Sequence, residues 1–361
     1  MKKNQQGRAL HARVAHSGGR DSVWRWLQGL LAGAVALWSG SVMAASCTGT
    51  DLMAAMPGDE QTRLEAAVGK VPYHQGVLWR ATRGDAEITL VGTLHLDDPR
   101  HHQTLDRLSE TLDSAAALYV EAGPEEMAKL NQALAEGTLL LVDEGTPALS
   151  QRLNPDEWEA VSSAMAERGI PPQATAVLRP WFVMLMLGMP PCLVRSADGS
   201  GELEGLDGLL IERAQQSGLP IHALEPWETL FTMFSDLTAE QELDMIRASI
   251  LAGTYADDYA VTLTEAYFAG DVWSVWEFMR LEEYRSARFT RDEVDEQFAL
   301  AQSSLMDQRN QQWLGPLTAG AEAAAAEEKG IVAGFGALHL PGEQGVLKLL
   351  ERDGWAIERL D

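Results

Sequence analysis

The chain has 361 residues, of which 46% are hydrophobic, and its 53 acidic residues outnumber 28 basic ones, so the formal net charge is -25. This composition is typical of a globular protein and excludes a collagen, a disordered tail and a polytopic membrane protein. The acidic balance argues against binding to nucleic acid or to an anionic membrane surface, since both need clustered Lys and Arg side chains.

The first 44 residues have the pattern of a secretory signal peptide. Residues 1–26 hold six basic residues and one acid, residues 27–38 form an apolar run, and the small-residue stretch SGSVMAAS follows. The apolar run is shorter than the roughly 20 residues of a membrane-spanning helix. We therefore expect cleavage after Ala44 and a periplasmic or secreted mature protein with no membrane span. Lipid attachment at Cys47 is the less favoured alternative, because the preceding AAS lacks the usual large aliphatic residue.

Cleavage at this point leaves two cysteines, Cys47 and Cys192. An even number of cysteines in an exported protein predicts a disulfide bond between them, and two unrelated buried thiols are the alternative.

After residue 70 the pattern alternates between strands and helices. The apolar runs GVLWRATR and EITLVGTLH predict a hairpin around Gly84-Asp85-Ala86, and the spacing over residues 101–114 predicts a helix. ALYVEAG is typical of a short buried strand, and GLDGLLIERAQQSG followed by PIHALE predicts a helix and a strand. IVAGFGALH, GEQGVLKLLERDGW and AIERL predict a final strand, helix and strand.

These elements predict one domain over residues 45–361, with a mixed α/β fold. A central mixed sheet would come from residues 76–123, 221–225 and 331–361, with helices flanking it. Helical patterns over about 125–200 and 226–328 predict a large helical insertion. One of these helices has Asn154 and Pro155 at its start and Gly169 beyond its end, which are typical capping residues.

A G-x-x-H motif occurs twice, each time at the end of an apolar strand. Gly92-Thr93-Leu94-His95 follows one strand and Gly336-Ala337-Leu338-His339 follows another. The glycine permits a close approach of the backbone, and the imidazole then projects at the sheet edge where α/β folds bind ligands. A histidine at a strand end is often structural, but two copies in matching contexts favour a functional role.

A third candidate is Glu121, which ends the apolar run LYVEAG. A carboxylate there is costly to bury unless it is paired or bound to a metal, and a solvent-facing side chain is the alternative. Two histidines and a glutamate suit a divalent metal such as Mn, Co or Zn, whose bound water becomes a nucleophile near neutral pH. Without a metal, the same three residues would serve as a general acid and base.

Five stretches of the chain, spanning residues 76–361, resemble the TraB/PrgY/GumN family, which includes the secreted Tiki-type metalloproteases. In chain order they are GVLWRATR…ITLVGTLHLDDPR, LYVEAG, LEGLDGLLIERAQQSGLPIHALE, the Arg309-Asn310 pair and FGALHLPGEQGVLKLLERDGW. The resemblance implies a mixed sheet flanked by helices, as in erythromycin esterase-like and ChaN-like proteins.

The resemblance also implies roles for individual residues. His95, Glu121 and His339 would hold the metal of a peptidase centre, and Arg309 would act beside them on a carboxylate or carbonyl group. Arg309, Asn310 and Glu343 are our candidates for substrate binding.

Other polar residues near the motifs are weaker candidates. Glu204, Asp207 and Glu225 match acidic positions of the family, and we interpret them as charges at helix entries and strand ends. Asp97 is our candidate for the acceptor that orients His95. His101 and His102 are expected at a solvent-exposed helix start, and a second metal contact is the less favoured alternative.

The sequence therefore favours a metal-dependent hydrolase, most of all a peptidase. A non-catalytic periplasmic protein that binds a peptide signal, a polysaccharide or haem stays open, as does a metal-independent esterase that uses His and Glu. The expected partner is a peptide or another small extracytoplasmic ligand, with no nucleic acid. The sequence has no phosphate-binding glycine loop, G-x-S-x-G elbow or H-E-x-x-H helix, which disfavours serine hydrolases and zincins.

Overall fold

The structure is a computed structural model that describes residues 47–135, 139–192, 205–232, 237–286 and 289–361. The predicted signal peptide, residues 1–44, and Glu204 lie outside these described residues. The strands are β1 Leu78–Arg83, β2 Ala86–Thr93, β3 Leu118–Val120, β4 Ile221–Ala223, β5 Ile331–Gly336 and β6 Ala356–Arg359.

The helices before β5 divide into three groups along the chain. The first group is α1 Gly58–Val68, α2 His101–Ser114 and α3 Pro124–Ala135. The second is α4 Leu149–Arg152, α5 Pro155–Glu167, α6 Pro172–Thr175, α7 Pro180–Gly188, α8 Leu206–Ser217 and α9 Thr229–Thr232. The third is α10 Ala239–Thr254, α11 Ala256–Phe268, α12 Val272–Ser286, α13 Arg291–Gln302 and α14 Gln308–Ala325. A π-helical turn, Ser303–Asp307, joins α13 to α14, and α15 Val346–Arg352 follows β5.

Within the described residues, six strands form one mixed sheet in the order β4-β3-β5-β2-β1-β6. Strands β4, β3, β5 and β2 are parallel, whereas β1 is antiparallel to both β2 and β6. The predicted hairpin joins β1 to β2, and its turn begins at Gly84, whose φ of 61° is a conformation that glycine adopts without steric cost. The mixed α/β fold with a central sheet is therefore confirmed.

Helices cover both faces of the sheet. On one face, α14 and α15 contribute Trp313, Leu317 and Leu350 to a core that includes Leu90 and Phe335 of the sheet. On the other face, α2 and α8 pack on the sheet through a second set of buried side chains, which includes Leu108, Leu112, Leu206 and Leu210. The central strands are buried on both sides, which explains why the sequence of β5 is a continuous apolar run.

Helices α4, α5, α7 and α10 contribute to a separate apolar cluster. The predicted cap is confirmed here, because Asn154 and Glu157 form a reciprocal capping box at the start of α5. The predicted disulfide between Cys47 and Cys192 is also present, with the two Cα atoms 5.6 Å apart. It ties the start of the described chain to the residues that follow α7.

No helix among the described residues is both long enough and apolar enough to cross a membrane.

Candidate functional site

The candidate site lies where the four parallel strands end. Each strand is followed within three residues by a polar side chain, and in the order of the sheet these are Glu225, Glu121, His339 and His95. Because the carboxyl ends of parallel strands meet at one edge of the sheet, residues far apart in sequence come together there.

His95 lies two residues beyond β2, and Asp207 fixes its orientation. Its Nδ1 atom lies 2.7 Å from Oδ2 of Asp207 in the first turn of α8. Desolvation acts to lower the pKa of His95, but the hydrogen bond and charge of Asp207, with the charge of Glu121, outweigh it and raise the pKa to about 9. The side chain is 61% exposed and Asp207 holds only Nδ1, so Nε2 is accessible at the surface of the site.

A glycine at the start of α8 brings Asp207 to His95. A Cβ atom on Gly205 would lie 2.3 Å from the carbonyl oxygen of Leu94 and 2.5 Å from Cα of His95, so only glycine fits. The backbone N–H of Leu206 also donates to the carbonyl of Leu94 at 3.1 Å. The acceptor of His95 is therefore Asp207, and our interpretation of Asp97 in that role was wrong.

Glu121 is held between a backbone amide and a guanidinium. Its Oε1 atom accepts from the N–H of Gly336 at 2.6 Å, and its Oε2 atom accepts a short hydrogen bond from Arg309. Desolvation acts to raise the pKa of this carboxyl, but the charges of Arg309 and His95 and the N–H of Gly336 outweigh it and hold the pKa well below its usual range. Glu121 is therefore ionised at neutral pH.

His339 is buried and neutral, and its tautomer follows from its partners. Asn310 donates through Nδ2 to the carbonyl of Gln344 at 2.9 Å, so its Oδ1 atom must accept from Nδ1 of His339, 2.6 Å away. Nε2 of His339 therefore carries a lone pair. Desolvation and the positive charges of Arg309 and His95 lower the pKa of His339 to about 4.

Arg309 crosses the middle of the site from the first turn of α14. It donates through Nε to Glu225 at 2.8 Å, and through Nη2 to Glu225 at 2.6 Å and to Glu121. Its Nη1 atom donates to the carbonyl of Leu305 in the π-helical turn at 3.0 Å, and lies 3.3 Å from Nε2 of His339. Two carboxylates thus compensate one guanidinium that is 13% exposed.

The three candidate metal ligands converge on one glycine. A Cβ atom on Gly336 would lie 3.3 Å from Oε1 of Glu121, 3.5 Å from Cδ2 of His339 and 3.7 Å from Nε2 of His95. The absence of a side chain at Gly336 therefore leaves the space that these groups share.

The types of side chain suit a divalent metal, because each imidazole presents Nε2 while an Asp or Asn holds its Nδ1. Their spacing does not suit a metal in this arrangement. Among the described residues, Cys47, Cys192 and Asp257 are the metal-type donors whose atoms lie within 4.8 Å of one another, and the two cysteines are in a disulfide. Arg309 also donates to two of the atoms that a metal would use. The residues fit an ion only if Arg309 moves away and the three donors come closer together.

The other predicted residues lie around this centre. Asn310 is 1% exposed, and its Oδ1 atom accepts a hydrogen bond from Nδ1 of His339. Glu343 pairs with Arg352 at the surface.

His102 is exposed as expected. His101 is fully buried, and its Nε2 donates to the carbonyl of Leu96 at 2.9 Å. The expectation of an exposed His101 was therefore wrong. Substrate binding by Arg309, Asn310 or Glu343 stays a prediction.

Two acids of the site, Asp207 and Glu225, were interpreted from the sequence only as terminal charges. The signal for Glu225 is its position two residues beyond β4, near the strand end like Glu121, which is one residue beyond β3. Trp313 was missed as well, although it lies four residues after Arg309, one helical turn along α14. Its ring contacts His339 with 4.5 Å between centroids, and its Nε1 donates to Glu225 at 3.2 Å.

Comparison with known proteins places the chain in a family. No curated protein matches the sequence. Residues 77–359, which include every strand and the whole candidate site, match the model of the TraB/PrgY/gumN family, and the chain therefore belongs to that family.

Proposed function

We propose that the protein is a hydrolase of esters or amides in which His95 transfers the proton. The observation that carries this proposal is the contact of 2.7 Å between His95 and Asp207, which leaves Nε2 of an exposed imidazole facing the space beside Gly336. A carboxylate that holds one imidazole nitrogen fixes the tautomer and stabilises the imidazolium that forms.

The proposed reaction uses the deprotonated form of His95, so its rate should rise as the pH approaches the His95 pKa of about 9. The oxygen of a water molecule attacks the carbonyl carbon while its proton passes to Nε2 of His95. The proton then passes from His95 to the leaving oxygen or nitrogen as the C–O or C–N bond breaks. Glu121 stabilises the positive charge that His95 gains, because it remains ionised beside it. Arg309 and Gly336 hold Glu121 in place.

The metal-dependent form of this reaction stays a prediction from the family resemblance, as does a peptide as the substrate. It is supported by the donor types of His95, Glu121 and His339, and it requires Arg309 to release two of them. We derive no step through a metal.

The test is hydrolysis of 4-nitrophenyl acetate and of a mixed fluorogenic peptide library. We expect His95→Ala to lower the rate by about 10²–10⁴-fold, the usual contribution of general acid–base catalysis. Asp207→Asn should lower it by about 10–100-fold. His102→Ala is the matched control, since this exposed histidine belongs to the neighbouring helix α2.

Full activity of the His95→Ala protein would contradict the proposal. Activity that a chelator abolishes and Mn²⁺ or Co²⁺ restores would instead support the metal-dependent form. Binding of a peptide, polysaccharide or haem without any hydrolysis would support the non-catalytic alternative.

We also propose that the protein acts in the periplasm or outside the cell. The signal-peptide pattern of residues 1–44 supports this, and so does the disulfide between Cys47 and Cys192, which is typical of oxidising compartments. Recovery of a mature chain that begins near Ala45 from the extracytoplasmic fraction would confirm it, and an intact N-terminus in the cytoplasmic fraction would contradict it.

A further inference from the structure

All five N–H groups of Arg309 are directed at acceptors within the protein. Two go to Glu225, one to Glu121, one to the carbonyl of Leu305 and one to Nε2 of His339. A guanidinium has five N–H donors and no acceptor, so none is left over. Arg309 is therefore bound as an internal cation.

Two of these acceptors, Nε2 of His339 and a carboxylate oxygen of Glu121, belong to side chains that a metal would need. The Nε2 lone pair of His339 and Oε1 of Glu121 are 3.9 Å apart, a separation that a metal with bonds of about 2.1 Å would bridge. Arg309 donates to this same lone pair and to the second oxygen of Glu121. A divalent ion there would break both hydrogen bonds and would meet a guanidinium that is mostly buried, so the two cations compete for one place.

Without the guanidinium, the site loses the cation that lies between its two carboxylates. Glu121 and Glu225 both contact Nη2 of Arg309, so they face each other across this one nitrogen and are only 19% and 11% exposed. Two buried carboxylates without a cation repel each other strongly. With Nε2 of His339 they offer two carboxylates and one imidazole, the donor types that Mn²⁺, Co²⁺ or Zn²⁺ takes, although the three do not lie within 4.8 Å of one another while Arg309 is present.

We infer that Arg309 takes the place of a metal in this protein. It neutralises Glu121 and Glu225, holds Nε2 of His339 and excludes a divalent ion from these three side chains. Once the guanidinium is removed, Glu121, Glu225 and His339 are free to close around a divalent ion. This inference deepens the proposed function by assigning the cation of the same site, but its test does not require turnover.

The test is metal binding by the full chain. Wild-type protein, Arg309→Met and Arg309→Lys are freed of metal, incubated with Co²⁺ and desalted. Bound metal is then measured by mass spectrometry, and the visible absorption of Co²⁺ reports its coordination. Methionine keeps an apolar stem against Trp313, whose ring lies 5.0 Å from the guanidinium carbon, and lysine keeps the positive charge.

We expect Arg309→Met to retain about one equivalent of Co²⁺ in a protein site, as judged by its spectrum, and wild type and Arg309→Lys to retain none there. The double variant Arg309→Met/Glu121→Gln should lose the metal again. Two results would overturn the inference: one equivalent of Co²⁺ on wild type that Glu121→Gln abolishes, or a folded Arg309→Met protein that binds none. The wild-type measurement decides even if Arg309→Met fails to fold. Loss of hydrolysis in His95→Ala, in contrast, tests the proposed function alone.

Discussion

The ion pair between His95 and Asp207 makes a quantitative prediction for the variant Asp207→Asn. The pKa of His95 is raised to about 9 from the usual 6.5, and Asp207 is the largest cause that raises it. A shift of that size in a fully buried pair would correspond to about 3 kcal/mol. Because the His95 side chain is 61% exposed, solvent screening reduces this to about 1 kcal/mol. We therefore expect Asp207→Asn to lower the pKa of His95 by about 0.7 unit.

The sign of the stability change follows from linkage. The pKa of His95 is higher in the folded than in the unfolded state, so the pair stabilises the fold fully below about pH 6.5. This stabilisation is lost as the pH rises through about 9. Wild type and Asp207→Asn should differ by about 1 kcal/mol in free energy of unfolding near pH 6, and should converge near pH 10.

The assay is an NMR titration of the histidine ring protons, together with urea unfolding at the two pH values. Asp98→Asn is the control, since Asp98 is close to His95 in sequence but pairs with Arg100. A wild-type pKa of His95 near 6.5 would refute the reasoning, and so would equal shifts in the two variants.

Two further predictions concern the disulfide and the central glycine. Replacing Cys47 and Cys192 by Ser releases a tether across 145 residues of sequence and should lower the free energy of unfolding by about 2–5 kcal/mol; an unchanged urea midpoint would show that the tether adds nothing. Gly336→Ala places a methyl group 3.3 Å from Oε1 of Glu121, so hydrolysis should fall by at least about 10-fold with a stability loss below about 2 kcal/mol. Gly188→Ala, where a Cβ meets nothing within 4 Å, should leave the rate unchanged, and equal rates in the two alanine variants would contradict the assigned crowding.

The strands and helices around the site could be predicted because their patterns are local. The apolar run of β5, the capping residues of α5 and the glycine that ends α8 at Gly218 all act within a few residues. The order of the strands could not be predicted in the same way. Strand β5 lies between β3 and β2, although it follows both by some two hundred residues, and this pairing depends on contacts that no local pattern describes.

The site shows the same division between local pattern and distant contact. His95, Glu121 and His339 could be selected because each ends an apolar strand, and the structure brings all three to Gly336. The partners that set their charges come from elsewhere in the chain: Asp207 is 112 residues from His95, and Arg309 is 188 residues from Glu121.

These distant partners decide the chemistry of the site. Without Asp207, His95 would be an ordinary exposed histidine. Without Arg309, Glu121 and Glu225 would form a buried pair of like charges that needs an ion. The reactive side chains therefore lie at the strand ends. Whether these side chains act with a metal or with a guanidinium depends on how α14 approaches the sheet. The π-helical turn before Arg309 supplies part of that approach, because the carbonyl of Leu305 within it holds Nη1.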